Sequence, residues 1–257
     1  MSDSGFAQYP SLVGKVVFIT GGATGIGADF VRSFAAQGAI VAFVDIDTQA
    51  ALALIDDCRN QLKNLPSFIH CDVVDTRALV GAISQIDEQF GRIDILVNNV
   101  ANDDRHRFEE VTSAYFDHKV AINLRAHFFA SQTGAAIMAA KGGGVIINVG
   151  STGWQSKTAG YAVYGLSKSA MNGMTRCLAR ELGGKNVRVN TLTPGWVMTQ
   201  RQLNMWVDES ANASIDANQC LPGRIEGSDI ARMALFLASD DSRMITAQEF
   251  VVDAGWT

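Results

Sequence analysis

Short runs of β-branched and aromatic residues alternate along the chain with longer stretches in which apolar residues recur at helical spacing. The runs Val16–Thr20, Ile40–Asp45, Phe68–His70, Ile95–Asn98, Val145–Val149, Val187–Leu192 and Phe250–Val252 predict seven strands. The first, second, fourth and fifth of them do not alternate in polarity, which is what a strand covered on both faces requires. Between strands, Phe30, Val31, Phe34 and Ala35 form one apolar stripe and Leu79, Val80, Ile83 and Ile86 another, each the core face of a helix. Strands separated by helices predict an α/β fold, a doubly wound parallel sheet of Rossmann type. No repeat, low-complexity tract or linker divides residues 1–257, so a single domain is expected, with Gly142 to Gly144 as a turn. The exception to the alternation runs from about Pro194 to Pro222, where Trp196, Met198, Met205 and Trp206 lie among polar residues without a clean period. It is expected to be a substrate loop or lid, or a surface excursion with a helix of its own.

Composition narrows the functional classes. With 257 residues, 47% of them hydrophobic, the chain can build a core and is not disordered. Its uncharged stretches are broken well before the roughly 18 residues a membrane helix needs. A formal charge of −5 without a block of Lys or Arg argues against nucleic acid. The opening Met1 to Gly5 shows neither a basic start nor an apolar run, so no leader is expected and a cytoplasmic location is. Cys58, Cys71, Cys177 and Cys220 lie far apart and read as core thiols. His70, His106, His118 and His127 show no ligand spacing, so no metal is expected.

Candidate chemistry begins directly after the first strand, at Thr20-Gly21-Gly22-Ala23-Thr24-Gly25-Ile26-Gly27. A strand, a glycine turn and a helix start make a phosphate cradle, where backbone N–H groups and the positive helix end meet a pyrophosphate. Eighteen residues past Gly27 the second strand ends in Asp45, whose carboxylate suits both hydroxyls of an adenosine ribose and so favours NAD; the competing role is a cap for the next helix. Asp72 and Val73 occupy the matching place after the third strand, suited to the adenine, with helix initiation again the alternative. Asn98 and Asn99 end the fourth strand, where they can hold adjacent strands together as well as meet a cofactor. After the sixth strand, Val197 and Thr199 offer a backbone amide and a hydroxyl to a nicotinamide carboxamide.

The fifth strand ends at Ser151, and thirteen residues later Tyr164 opens a helical run containing Lys168. Positions i and i+4 share a helix face, so the ammonium is expected to lower the phenol from its usual pKa near 10 and make Tyr164 an acid/base. Tyr161 has Gly165 at i+4 and lacks that partner.

In this order, Thr20 to Gly27, Asp72, Asn98-Asn99, Asn123, Ser151, Tyr164, Lys168 and Pro194-Gly195 resemble the short-chain dehydrogenase/reductase family over essentially the whole chain. The resemblance implies a tetrad of Asn123, Ser151, Tyr164 and Lys168, in which Asn123 kinks its helix and holds a water for proton relay. It also implies a homotetramer built on long helices and the C-terminal segment. Val100-Ala101 departs from the family's Ala-Gly and puts more bulk near the nicotinamide ribose. Further stretches, among them Asn102 to His106, Gln219 to Leu221 and Asp253 to Trp256, are similar to bacterial aldose 1-dehydrogenases of the D-xylose type. A sugar needs fixed donors and acceptors and a flat apolar surface, which Asn102, Ser151, Trp154, Gln155, Tyr164, Trp196 and Arg201 would supply. Arg105 and Arg107 are expected to be solvated or paired with Asp103 and Glu109. The expected reaction is NAD-dependent oxidation of a small-molecule aldose at C1. Oxidation of another secondary alcohol, such as a sugar acid or a 3-hydroxyacyl group, is the enzymatic alternative. A non-catalytic NAD-sensing protein is the alternative of another class.

Overall fold

A computed structural model describes residues 7–59, 62 and 64–257. The opening Met1 to Gly5 lies outside the described residues. The strands are β1 (Val16–Thr20), β2 (Ile40–Asp45), β3 (Ser67–His70), β4 (Ile95–Asn98), β5 (Gly144–Val149), β6 (Val187–Pro194) and β7 (Glu249–Val252). They form one parallel sheet in the order β3-β2-β1-β4-β5-β6-β7. The doubly wound seven-stranded sheet expected from the polarity pattern is therefore present. The main helices are α1 (Gly25–Ala36), α2 (Thr48–Arg59), α3 (Thr76–Phe90), α4 (Ser113–Val120), α5 (Ala126–Ala140), α6 (Ala162–Leu182), α7 (Gln200–Met205), α8 (Glu209–Asn218) and α9 (Gly227–Ala238). Among the described residues no helix is long and apolar enough to cross a membrane.

Strand geometry sends successive side chains to opposite faces, and the core divides accordingly. Val17 and Ile19 of β1 pack with Phe30, Phe34, Leu54, Ile230 and Leu235, the inner faces of α1, α2 and α9. Val16 and Phe18 pack on the other side with Leu79, Ile83, Ala130 and Met138, from α3 and α5. Phe18, Phe30, Phe34 and Phe43 are wholly buried, each contributing about 1.5–3 kcal/mol. These residues make both faces of the central strands dry, which is why the strands read as unbroken apolar runs.

Sequence order reverses between β1 and β4, where the chain turns back across the sheet. Loops leaving the carboxyl ends of strands on either side of such a point diverge and leave a crevice, and the cleft described below opens there. The expected turn at Gly142 to Gly144 ends one residue early, because Gly144 already pairs with Val187 as the first residue of β5. The aperiodic stretch after Pro194 contains two short helices, α7 and α8, each started by a side-chain cap: Thr199 accepts from the Gln202 N–H and Asp208 from that of Ala211.

Candidate active site

The loop from β1 to α1 is shaped by close approach. A Cβ on Gly27 would lie 1.8 Å from the Gly21 carbonyl oxygen, and Gly25 has φ +54°, so side chains are excluded from the cradle on both counts. Thr24 precedes α1 without a side-chain cap, leaving N–H donors at the helix start. Asn99 fixes the loop to β4: its amide donates to the carbonyls of Thr20 at 3.0 Å and Gly21 at 2.8 Å, while its own N–H donates to the Thr20 hydroxyl. Behind it, buried Asn98 donates to Asn148 on β5 and to Ser131 on α5, both at 2.8 Å. These two asparagines hold strands and loop together.

Asp45 accepts the Ala23 N–H at 2.9 Å and the Asp47 N–H at 3.0 Å, so its carboxylate is tied to the rim of the cradle. It does not cap α2; Asp47 does that by accepting the N–H of Ala50. Asp72 accepts from Val74 in a local turn, and Asp75, not Asp72, caps α3. Neither Asp72 nor the buried Val73 is among the residues lining the cleft.

That cleft, about 460 Å³, is lined by Gly21, Thr24, Ile26, Gly27, Asp45 and Asn99 at one end, by Ser151, Tyr164 and Lys168 in the middle, and by Trp196, Val197 and Thr199 across from them. Loops that follow four different strands, β1, β4, β5 and β6, thus meet over one space. Ser151 accepts the Gly153 N–H at 3.1 Å and is hydrogen-bonded to Tyr164. Lys168, buried on the same face of α6, donates to the Val149 carbonyl at 2.7 Å, with its Nζ 5.9 Å from the Tyr164 ring centroid. The expected depression of the phenol by this ammonium is not what the structure gives. Burial pushes Tyr164 above the ordinary phenol range, against the opposing effect of the Ser151 hydrogen bond. Burial also lowers Lys168 to about 7, against the field of Asp103. Both groups are desolvated together, and an amine that burial pushes toward its neutral form stabilises a phenolate weakly.

Asn123 lies in the π-helical turn Ala121–Arg125 that joins α4 to α5. Its side chain donates to the Asn102 carbonyl at 3.0 Å and accepts the Asn102 N–H at 2.8 Å, fixing the loop after β4.

The expected sugar contacts divide. Ser151, Tyr164 and Trp196 line the cleft, whereas Asn102, Trp154, Gln155 and Arg201 do not. The Asn102 side chain is held by Lys119 at 2.6 Å, and Gln155 donates to Glu249 at 3.3 Å. Trp154 is 38% exposed. Arg201 bridges Asp103 at 3.2 Å and Asp104 at 2.5 Å. In their place the cleft takes Asp103, Arg105, Tyr161, Gln202 and Trp256. Gln202 donates to Asp103 at 2.7 Å and accepts from the Trp196 indole at 3.0 Å. Arg107 pairs with Glu109, as expected, but Arg105 pairs with neither acid: its guanidinium lies over the ring of Tyr161, because Asp103 is already committed to Arg201 and Gln202.

Among the described residues no group of His, Cys, Asp and Glu could hold a metal ion. The four cysteines are free thiols, but only Cys58 and Cys71 are in the core; Cys177 and Cys220 are exposed. Buried His127 is held down to about pKa 3 by desolvation and by Lys168, and its Nε2 meets the Val100 carbonyl at 2.9 Å.

The family described as Enoyl-(Acyl carrier protein) reductase matches residues 21–257. A D-xylose 1-dehydrogenase of Caulobacter vibrioides is 43% identical over 97% of this chain and 98% of its own. A probable galactose dehydrogenase of Rhizobium meliloti is 39% identical, over 97% of each chain. A solved 7α-hydroxysteroid dehydrogenase complexed with NADH and 7-oxo glycochenodeoxycholic acid superposes with a TM-score of 0.91 at 30% identity, covering 97% of this chain and 96% of that one. The chain belongs to the short-chain dehydrogenase/reductase family. It is an oxidoreductase acting on alcohol groups with a nicotinamide cofactor. The glycine cradle, closed to any side chain at Gly27, fits the dinucleotide.

Proposed function

We propose that this dehydrogenase oxidises an aldose, a pentose or hexose, at C1 to the aldonolactone with NAD. The observation that carries the reading is the polar character of the cleft beyond Tyr164: Asp103, Arg105, Gln202 and the indole of Trp196 face the space that a steroid or acyl chain would need to be dry. The names of the xylose and galactose relatives support the same substrate class.

Ser151 and Tyr164 together would hold the anomeric oxygen; as hydride leaves C1 the hydroxyl proton passes to Tyr164, which takes it as a phenolate, a form that the positive charge of a bound nicotinamide would favour against the effect of burial. Lys168, anchored on the Val149 carbonyl behind the phenol, places a titratable amine beneath the site, and Asn123 keeps the roof in position through Asn102. Gly21, Thr24, Gly25, Ile26, Gly27, Asp45, Asn99, Val197 and Thr199 would hold the nicotinamide dinucleotide, with Tyr164 and Lys168 against its ribose. When bound it supplies the hydride acceptor. Asp45 favours NAD, because a 2′-phosphate would meet a like charge at a cost of several kcal/mol.

The four-subunit assembly is part of this reading. Phe116, Phe128 and Leu166 on α4 to α6, and Val251 on the edge strand β7, are large apolar side chains left exposed in a single chain.

A screen of pentoses, hexoses, sugar acids and 3-hydroxyacyl thioesters, each with NAD and with NADP, tests the proposal. NADH formed with at least one aldose, and kcat/KM higher with NAD, is the expected result. Turnover confined to sugar acids or acyl thioesters would replace it with the secondary-alcohol reading, and cofactor binding without turnover of any alcohol with the sensor.

A further inference from the structure

Arg105 is the cationic group of the cleft that the chemistry above does not use. It lies in the loop after β4, held in place where the His106 N–H donates to the Gly160 carbonyl at 2.7 Å. Its guanidinium carbon sits 4.1 Å from the centroid of the Tyr161 ring and 5.1 Å from that of Trp206, so aromatic faces from two separate parts of the chain position it. Tyr161 in turn packs edge-on against Tyr164, with centroids 5.4 Å apart. The guanidinium is therefore one aromatic ring removed from the proton-exchanging phenol, and its charge still reaches that phenol.

The acids that could neutralise it are committed elsewhere. Asp103 is held by Arg201 and Gln202, and Asp104 by Lys119 and Arg201. Among the described residues Arg105 makes no ion pair, and its Nε is buried without a hydrogen-bond partner. A buried donor without an acceptor is unfavourable, so the side chain is held at a cost where it lines the cleft. A guanidinium presents its donors along one plane as a rigid fork, matched to two neighbouring oxygens.

We infer that Arg105 is a specificity-determining substrate contact, donating to a pair of neighbouring hydroxyl oxygens on the end of the sugar remote from C1. This rests on the aldose reading. It explains why a cation held between two aromatic rings lines the cleft with no ion pair among the described residues: its acceptors arrive with the substrate. A lone hydroxyl or an apolar chain leaves the fork unsatisfied, so the residue selects for polyhydroxylated rings by penalising analogues that lack those groups.

The test uses wild type, Arg105→Met and Arg105→Lys with the best aldose and its deoxy analogues, measuring kcat and KM separately and NAD affinity by fluorescence. Wild type should prefer the full aldose over at least one deoxy analogue. In Arg105→Met, KM for the aldose should rise about 10- to 100-fold, the range of a hydrogen bond to a charged group. The analogue should lose much less, so that the preference collapses. Arg105→Lys, which keeps charge and stem but not the fork, should recover only part of it, and NAD affinity should hold in both variants. An unchanged preference in Arg105→Met with wild type active on aldoses overturns the inference alone. Wild type inactive on every aldose overturns the aldose reading and this inference with it. A wild-type preference for sugar acids that Arg105→Met abolishes would assign the fork to a carboxylate instead.

Discussion

Tyr164 and Lys168 share a helix face but not a hydrogen bond, and that separation sets what each should do when altered. Removing the phenolic hydroxyl in Tyr164→Phe takes away the group proposed to take the proton while leaving the cradle intact. Turnover should fall by roughly 10² to 10⁴ with NAD affinity nearly unchanged. Tyr161→Phe, which keeps the ring under Arg105, should be milder; a Tyr164→Phe enzyme retaining more than a tenth of the wild-type rate would remove Tyr164 from this role. Lys168 carries a stability signature as well. Its pKa is lowered by burial to about 7 in the folded chain against an ordinary value of 10.5, so between those pH values the unfolded chain binds the extra proton. Stability therefore rises with pH across that window and is lost as pH falls toward 7. In cofactor-free protein, the Tm of wild type relative to Lys168→Met should climb from pH 7 to 10, and parallel curves would show that the amine is not desolvated. The i, i+4 spacing revealed which side chains face the same way. It did not reveal that both would be dry, because desolvation depends on what the rest of the fold lays over them.

At the scale of elements, the glycine turn shows how local sequence and long-range packing combine. The strand-glycine-helix order was legible because a phosphate cradle is a local backbone device. The reason Gly27 must be glycine was not, since it depends on the chain folding back to put the Gly21 carbonyl where a Cβ would go. Gly27→Ala should therefore abolish measurable NAD binding by fluorescence titration even if the variant folds. Binding within threefold of wild type would mean that the loop relaxes freely and does not form the site. Central strands β1, β2, β4 and β5 were legible because two-sided burial leaves an unbroken apolar run. Helices α7 and α8 were not: they are short, expose most of their surface, and are held by caps and by pairs such as Arg201 with Asp103, so no apolar period marks them. The substrate side of the site was the least legible part for the same reason. Asp103, Arg105 and Gln202 are ordinary surface residue types until a loop after β4 and a helix after β6 are brought together, and the same contacts turn Arg201 away from the cleft.

The whole molecule leaves apolar side chains exposed on α4 to α6 and an unpaired edge at β7, where Val251 is 41% exposed. Light scattering should return a mass near four times 27.6 kDa, and charged replacements at Phe128 and Leu166 should lower it; a monomer at micromolar concentration would contradict the assembly. The proposed chemistry turns on hydride leaving C1 of an aldose. Incubating the enzyme with NAD and an aldose deuterated at C1, then examining both products by mass spectrometry, tests it most directly. Deuterium should appear on the reduced nicotinamide, and the lactone should be free of label. Reduced cofactor without deuterium, together with an oxidised sugar that still carries it at C1, would rule out oxidation at C1 and place it at another carbon.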